Sequence, residues 1–168
     1  MTTDRRDFLR RAKALAYAGA AAALFRAPAA TAAETFEVTK TEEEWKKLLK
    51  PEAFEVLRKH NTEKPNTSAL LHEARKGKFA CAGCDLPLYD ASTKFDSGTG
   101  WPSFFDHLPD AVKTQTDYYL ILPRTEVHCR RCGGHLGHRF NDGPQPTGMR
   151  YCMNGVAMTF KPADGSGA

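Results

Sequence analysis

Five cysteines carry the chemistry that is easiest to read in this 168-residue chain. Four fall into two pairs, Cys81-Ala82-Gly83-Cys84 and Cys129-Arg130-Arg131-Cys132, with 44 residues between them. Two residues between thiols let both sulfurs of a tight turn point at one ion, and two such knuckles complete a tetrahedral site. Zinc prefers this closed four-thiolate set and then does no catalysis, because no coordination position stays open. A pair of disulfides, or a redox-active C-x-x-C of the thioredoxin type, competes for the same residues. Two paired knuckles favour one structural Zn2+ on Cys81, Cys84, Cys129 and Cys132. The fifth cysteine, Cys152, has no partner, and a lone cysteine is most often a small buried hydrophobe. Its neighbours argue for more. In Arg150-Tyr151-Cys152-Met153-Asn154, period-two alternation puts Arg150, Cys152 and Asn154 on one face and Tyr151 and Met153 on the other. A nearby guanidinium lowers a thiol's pKa, and the thiolate is the nucleophile. Asn154 adds a neutral donor for an oxygen. The Gly-rich stretch Gly133–Pro144 contributes His135 and His138, which can deliver the proton that a thiol reaction needs.

The elements that must hold these residues read as two short helices followed by a small β-rich domain. Thr41-Glu42-Glu43-Glu44 is a capping box, and Trp45, Leu48 and Leu49 follow as a helical apolar stripe. Pro51 suits the first position of a second helix, with Phe54 and Leu57 on one face. After Asn61, short runs at Phe79–Cys81, Leu86–Tyr89, Tyr118–Leu122, Glu126–Cys129 and Val156–Phe160 are separated by Gly, Pro, Asp and Asn turns, as in a compact barrel or sandwich. No internal repeat interrupts them.

Charge separates the chain into two parts. The formal net charge is +4, but six of the 24 basic and two of the 20 acidic side chains lie in residues 1–33, so residues 34–168 are neutral overall. Residues 1–33 run from a basic segment through the apolar stretch Ala14–Phe25 to Ala30-Thr31-Ala32, the order of an export signal. The apolar stretch is shorter than the roughly 20 residues of a membrane-spanning helix, so no stable membrane anchor is expected. Asp4-Arg5-Arg6-Asp7-Phe8-Leu9-Arg10 is similar to the twin-arginine export motif, which implies the twin-arginine machinery as a partner and a periplasmic location. A neutral body argues against nucleic acid as a partner, although Arg130, Arg131, Phe104 and Phe105 could be cast as such a patch.

Residues from about Trp45 to Lys161 resemble the B-type methionine sulfoxide reductases, which reduce the R epimer of methionine sulfoxide. The resemblance rests on Lys94–Phe104 (Lys-Phe-Asp-Ser-Gly-Thr-Gly-Trp-Pro-Ser-Phe), His135–Pro144 and Arg150–Asn154, and the two knuckles match the metal-bearing branch. It implies a mainly β fold, two antiparallel sheets forming a small barrel-like domain. It implies Cys152 as the nucleophile, His135, His138 and Asn154 holding and protonating the sulfoxide oxygen, and Arg150 and Asp142 tuning the thiolate and orienting the imidazoles. Trp101 would pack against the substrate's methyl, with Phe104 beside it. Many relatives carry a second, resolving cysteine where this chain has Thr99. An external thiol reductant, a thioredoxin-like protein or a small thiol, is then expected to recycle the sulfenic acid left on Cys152. A monomer is the default.

Overall fold

The computed structural model describes residues 34–118 and 122–163, so the leader reading for residues 1–33 lies outside the described residues. Thr41 opens helix α1 (Glu42–Leu48) as the capping box requires: Glu44 N–H donates to Thr41 Oγ1 (3.3 Å) and Thr41 N–H to Glu44 Oε2 (2.8 Å). Trp45 is buried, but Leu48 turns outward and is 56% exposed, so the apolar stripe of α1 is narrower than its spacing suggests. Helix α2 (Pro51–Lys59) starts on Pro51 and buries Ala53, Phe54, Val56 and Leu57.

Nine strands follow: β1 (Gly77–Cys81), β2 (Pro87–Asp90), β3 (Lys94–Phe95), β4 (Ser103–Phe104), β5 (Val112–Asp117), β6 (Arg124–Cys129), β7 (His135–Phe140), β8 (Arg150–Met153) and β9 (Met158–Pro162). They form two antiparallel sheets, a small one in the order β2-β1-β9 and a larger one in the order β3-β4-β8-β7-β6-β5. Neither sheet closes on itself among the described residues, so the domain is barrel-like rather than a barrel. One face of the larger sheet meets the smaller sheet in the core. Phe104 stacks on Tyr89 (centroids 4.3 Å apart) and meets Phe79 edge-on (4.9 Å), while Tyr89 donates its hydroxyl to Met153 Sδ (3.0 Å).

The opposite face of the larger sheet carries polar side chains, and most of them are buried: Ser103, Glu126, His128, His135 and His138. The β7–β8 register pairs His138 with Cys152, and the β4–β8 register pairs Ser103 with Cys152. Directly opposed residues share a face, so the thiol, the imidazole and the hydroxyl project together. Between β6 and β7 the register steps from Val127↔Gly137 to His128↔His135, which leaves Leu136 as an extra residue on β7. In a regular strand, residues three apart point to opposite faces. The bulge restores His135 to the face of His138.

Of the run Tyr118–Leu122, only Tyr118 and Leu122 are described, and neither belongs to a strand. The strand in this region is β5, which ends at Asp117, and Tyr118 and Leu122 are 77% and 76% exposed; residues 119–121 lie outside the described residues. An edge strand with one solvated side needs few apolar residues, and Lys113, Thr114, Gln115 and Thr116 of β5 are exposed.

Candidate functional site

The two cysteine knuckles are built alike. In each, the first cysteine ends a strand, its N–H bonds to the carbonyl five residues on, and its carbonyl accepts from the N–H four residues on. These bonds are Cys81 N to Leu86 O (2.9 Å) and Asp85 N to Cys81 O (2.8 Å), then Cys129 N to Gly134 O (2.9 Å) and Gly133 N to Cys129 O (2.9 Å). The turn requires a left-handed residue, Asp85 at φ 62° and Gly133 at φ 66°. Arg58 of α2 donates to the Cys132 carbonyl, and Arg131 reaches across to the Cys84 carbonyl. All five cysteines are free, and the four knuckle sulfurs lie within 4.8 Å of one another, with Cys81–Cys132 at 3.7 Å and Cys84–Cys129 at 3.4 Å. A tetrahedral ion with sulfur bonds of about 2.3 Å would hold its ligands about 3.8 Å apart, so the cluster is positioned to bind a metal ion. That ion would tie β1 of the small sheet to β6 of the larger one.

Cys152 lies at an open pocket of about 120 Å³. Trp101 and Phe140 supply apolar wall, and His138, Asn154, Thr62 and Arg124 supply polar groups. Arg150 grips Asp142 with a two-pronged pair (2.9 and 2.8 Å) and lies over the Phe140 ring at 4.3 Å. Its charge is favoured first by Asp142 and more weakly by Cys152. Thr99 Oγ1 is 3.7 Å from Cys152 Sγ, at the head of a hydroxyl chain that runs to Ser97 Oγ and Ser103 Oγ, each step 2.8 Å.

Each histidine is backed by a carboxylate that its spacing in the sequence does not announce. His138 Nε2 donates to Asp117 Oδ2 (2.8 Å), which also holds Arg124 Nη2 (2.7 Å). Burial pushes the His138 imidazole below its ordinary pKa despite that carboxylate. His135 Nδ1 donates to Glu126 Oε1 (2.7 Å), and His60 Nδ1 approaches the same oxygen at 3.1 Å while Gln115 Nε2 bonds Oε2 at 2.6 Å. Burial alone would raise the Glu126 carboxyl, but the bonds from His135, His60 and Gln115 prevail and hold it well below the usual carboxylate range. His135 does not line the Cys152 pocket. It faces an adjoining cleft of about 580 Å³, with His60, Asp117, Arg124 and His138.

Two expectations change with the geometry. Phe104 does not reach the pocket: the β4–β8 register pairs it with Tyr151 on the core side, and it is fully buried against Phe79 and Tyr89. Asn154 lines the pocket, but its amide is already committed, Nδ2 donating to the Leu136 carbonyl (3.0 Å) and Oδ1 accepting from Glu63 N–H (3.0 Å). Its backbone N–H bonds the same carbonyl (2.8 Å), so Asn154 clamps the β7 bulge. Glu63 is a hub that no sequence motif contains. Its carbonyl accepts Trp101 Nε1–H (3.1 Å), and its carboxylate accepts the backbone N–H groups of Gly155 and Val156. Burial raises the Glu63 carboxyl in spite of those two donors. Nothing in the local pattern marks Glu63, whereas Glu126 could have been found as the one acid inside an otherwise buried strand.

Residues 49–162 match the family model described as the SelR domain, a span that contains all of these groups. A peptide methionine sulfoxide reductase MsrB of Methanosarcina barkeri is 51% identical over 125 residues, 74% of this chain and 88% of the relative. The MsrB of Pseudomonas putida is 50% identical over 131 residues, 77% and 98% of the two chains, and that of Leptospira interrogans 47% over 127, 75% and 97%. The chain belongs to the MsrB family. In this MsrB chain both knuckles, Cys152 and the paired histidines fall inside the matched span.

The depressed Glu126 carboxyl stabilises the fold fully above its usual value of 4.5, and that contribution is lost as pH falls toward the depressed value. Glu126→Gln is expected to cost about 1–3 kcal/mol at pH 7, with a gap to wild type that narrows at pH 3. Urea unfolding at the two pH values measures both quantities.

Proposed function

We propose that this chain reduces the R epimer of methionine sulfoxide in proteins and peptides, with the Cys152 thiolate as nucleophile. The observation that carries the reading is the shared pocket, in which Cys152 stands directly across the strand pair from His138 and beside the Trp101 indole. A sulfoxide sulfur is a poor electrophile until its oxygen is protonated, so thiolate and acid must face one another across the substrate. Asp117 occupies the Nε2 side of His138, which leaves Nδ1 to take the thiol proton and pass it to the sulfoxide oxygen. His135 serves the same oxygen through water. The Cys152 sulfur attacks the sulfoxide sulfur, the sulfur–oxygen bond breaks, and the oxygen ends on Cys152 as a sulfenic acid. The substrate sulfur is thereby reduced by two electrons and the cysteine oxidised by two. Trp101 packs on the terminal methyl, and the fixed side of the imidazoles selects the epimer. Arg150 and Asp142 position the wall beside the sulfur.

The group fitting the four knuckle cysteines is Zn2+, one per chain. When bound it supplies no reaction chemistry; it cross-links the two sheets through Cys81, Cys84, Cys129 and Cys132. With Thr99 against Cys152 and the other cysteines gathered in the knuckles, the reductant is an external thiol. One thiol displaces water from the sulfenic acid to give a mixed disulfide, and a second thiol releases Cys152. Residues 1–33 act as a twin-arginine leader that sends a monomeric enzyme to the periplasm. Among the described residues no helix is long and apolar enough to cross a membrane.

Cys152→Ser is expected to abolish reduction of an R-sulfoxide peptide with dithiothreitol while retaining its zinc on elemental analysis; unchanged activity would overturn the assignment. Changing Arg5 and Arg6 to Lys is expected to hold the protein in the cytoplasm on cell fractionation, and normal export would contradict the leader reading.

A further inference from the structure

We propose that His60, Glu126 and His135 form a second metal site, which takes a divalent transition-metal ion and, when filled, withdraws His135 from the reaction. The binding part stands on geometry alone; the inhibitory part rests on the reading of His135 given above.

Three donor atoms converge here. Glu126 Oε1 lies 2.7 Å from His135 Nδ1 and 3.1 Å from His60 Nδ1, and all three atoms fall within 4.8 Å of one another. Bonds of about 2.1 Å to a tetrahedral ion set nitrogen and oxygen donors roughly 3.4 Å apart, so the triad needs to open by well under an ångström. Two imidazoles and one carboxylate are a ligand set suited to Zn2+ and its first-row neighbours. The carboxylate is already oriented as a ligand would be: Gln115 Nε2 occupies Oε2 and leaves Oε1 toward the two rings.

The two histidines differ in ways that suit entry and closure. His60 ends α2 with φ 57°, a left-handed conformation that helices normally assign to glycine at this position. That backbone brings its imidazole, 57% exposed, over His135 with ring centroids 5.1 Å apart. His135 is buried, and its Nε2 has no hydrogen-bond partner, so Glu126 is the hydrogen-bond partner that fixes the ring's orientation. The cleft of about 580 Å³ that His60 and His135 share leaves space for water in the remaining coordination positions. Of the nearby cations, Arg124 pairs with Asp117 (2.7 Å) and Lys59 with Glu42 (2.7 Å), while Arg58 donates to the Leu57 and Cys132 carbonyls.

Binding puts the metal in place of the proton on His135 Nδ1, and the neutral ring then carries its proton on Nε2. Glu126 then serves the ion instead of the imidazole. Reduction should therefore slow reversibly as free Zn2+ rises, with the knuckle site untouched.

The probe is Co2+ added to Cys152→Ser protein whose knuckles are already filled, so that no free thiol competes. One saturable equivalent with visible d–d bands, and without the near-ultraviolet thiolate-to-cobalt charge transfer of knuckle exchange, is expected. His60→Ala should lose that spectrum. On the Cys152 background, with each protein measured against its own activity in chelator, His60→Ala should need about tenfold more free Zn2+ for half inhibition than wild type. No cobalt spectrum, or the same spectrum in His60→Ala, would overturn the site. Cobalt binding with no inhibition of wild type by Zn2+ would uphold the site and overturn the role given to His135.

Discussion

The polar face of the six-stranded sheet is largely buried, and each buried charged group on it must therefore be answered from within the protein. Burying an unpaired charge costs far more than any single contact returns, so this face tolerates little rearrangement. Glu126 is held by His135, His60 and Gln115, Asp117 takes bonds from His138 and Arg124, and each of these carboxylates fixes one histidine. The same buried network that keeps the fold unique thus fixes the imidazoles before any substrate arrives. Groups pre-oriented in this way need no reorganisation when charge moves. Chemistry and packing are divided between two faces of one sheet, with Cys152, His138 and Ser103 on one and Phe104, Tyr151 and Met153 on the other.

A one-residue irregularity gives this arrangement its catalytic form. The extra residue Leu136 in β7 brings His135 round to the side of His138. Asn154 then pins the Leu136 carbonyl with both its backbone and its side chain. Asn154 in turn holds Glu63, whose carbonyl carries the Trp101 indole. Bulge and aromatic wall are therefore parts of one hydrogen-bonded unit beside Cys152, and the bulge carries His135 next to its extra residue. The knuckle cluster works at a larger scale, joining the sheet that bears the site to the one that backs it.

Much of this was legible in the chain itself. The capping box at Thr41, the strand runs around Cys81 and Cys129, and the alternation that puts Arg150 and Cys152 together are local patterns, and local patterns survive folding. Strand β7 is absent from the strand runs that the chain displays, because Gly133 and Gly134 before it and Gly137 within it break up any apolar alternation. Its glycines are needed for close approach: a Cβ on Gly137 would stand 2.2 Å from the Cys152 carbonyl oxygen. Edge strand β5 needs no apolar face and so leaves no hydrophobic pattern, although an apolar run lies beside it. Partners that come from far along the chain, such as Glu63 for Asn154 and Asp117 for His138, leave no trace in spacing. Phe104 belongs to a motif with Trp101, yet alternation sends it into the core.

The central claim is that Cys152 alone takes the oxygen from the substrate, with Thr99 where a second thiol would otherwise stand. Intact-mass and peptide mapping after a single turnover, with no reductant present, test this most directly. The account predicts one methionine formed per chain and one oxygen atom added at Cys152, trapped as a sulfenic acid. Methionine formed with Cys152 unmodified, or with Cys152 in a disulfide to a knuckle cysteine, would contradict it.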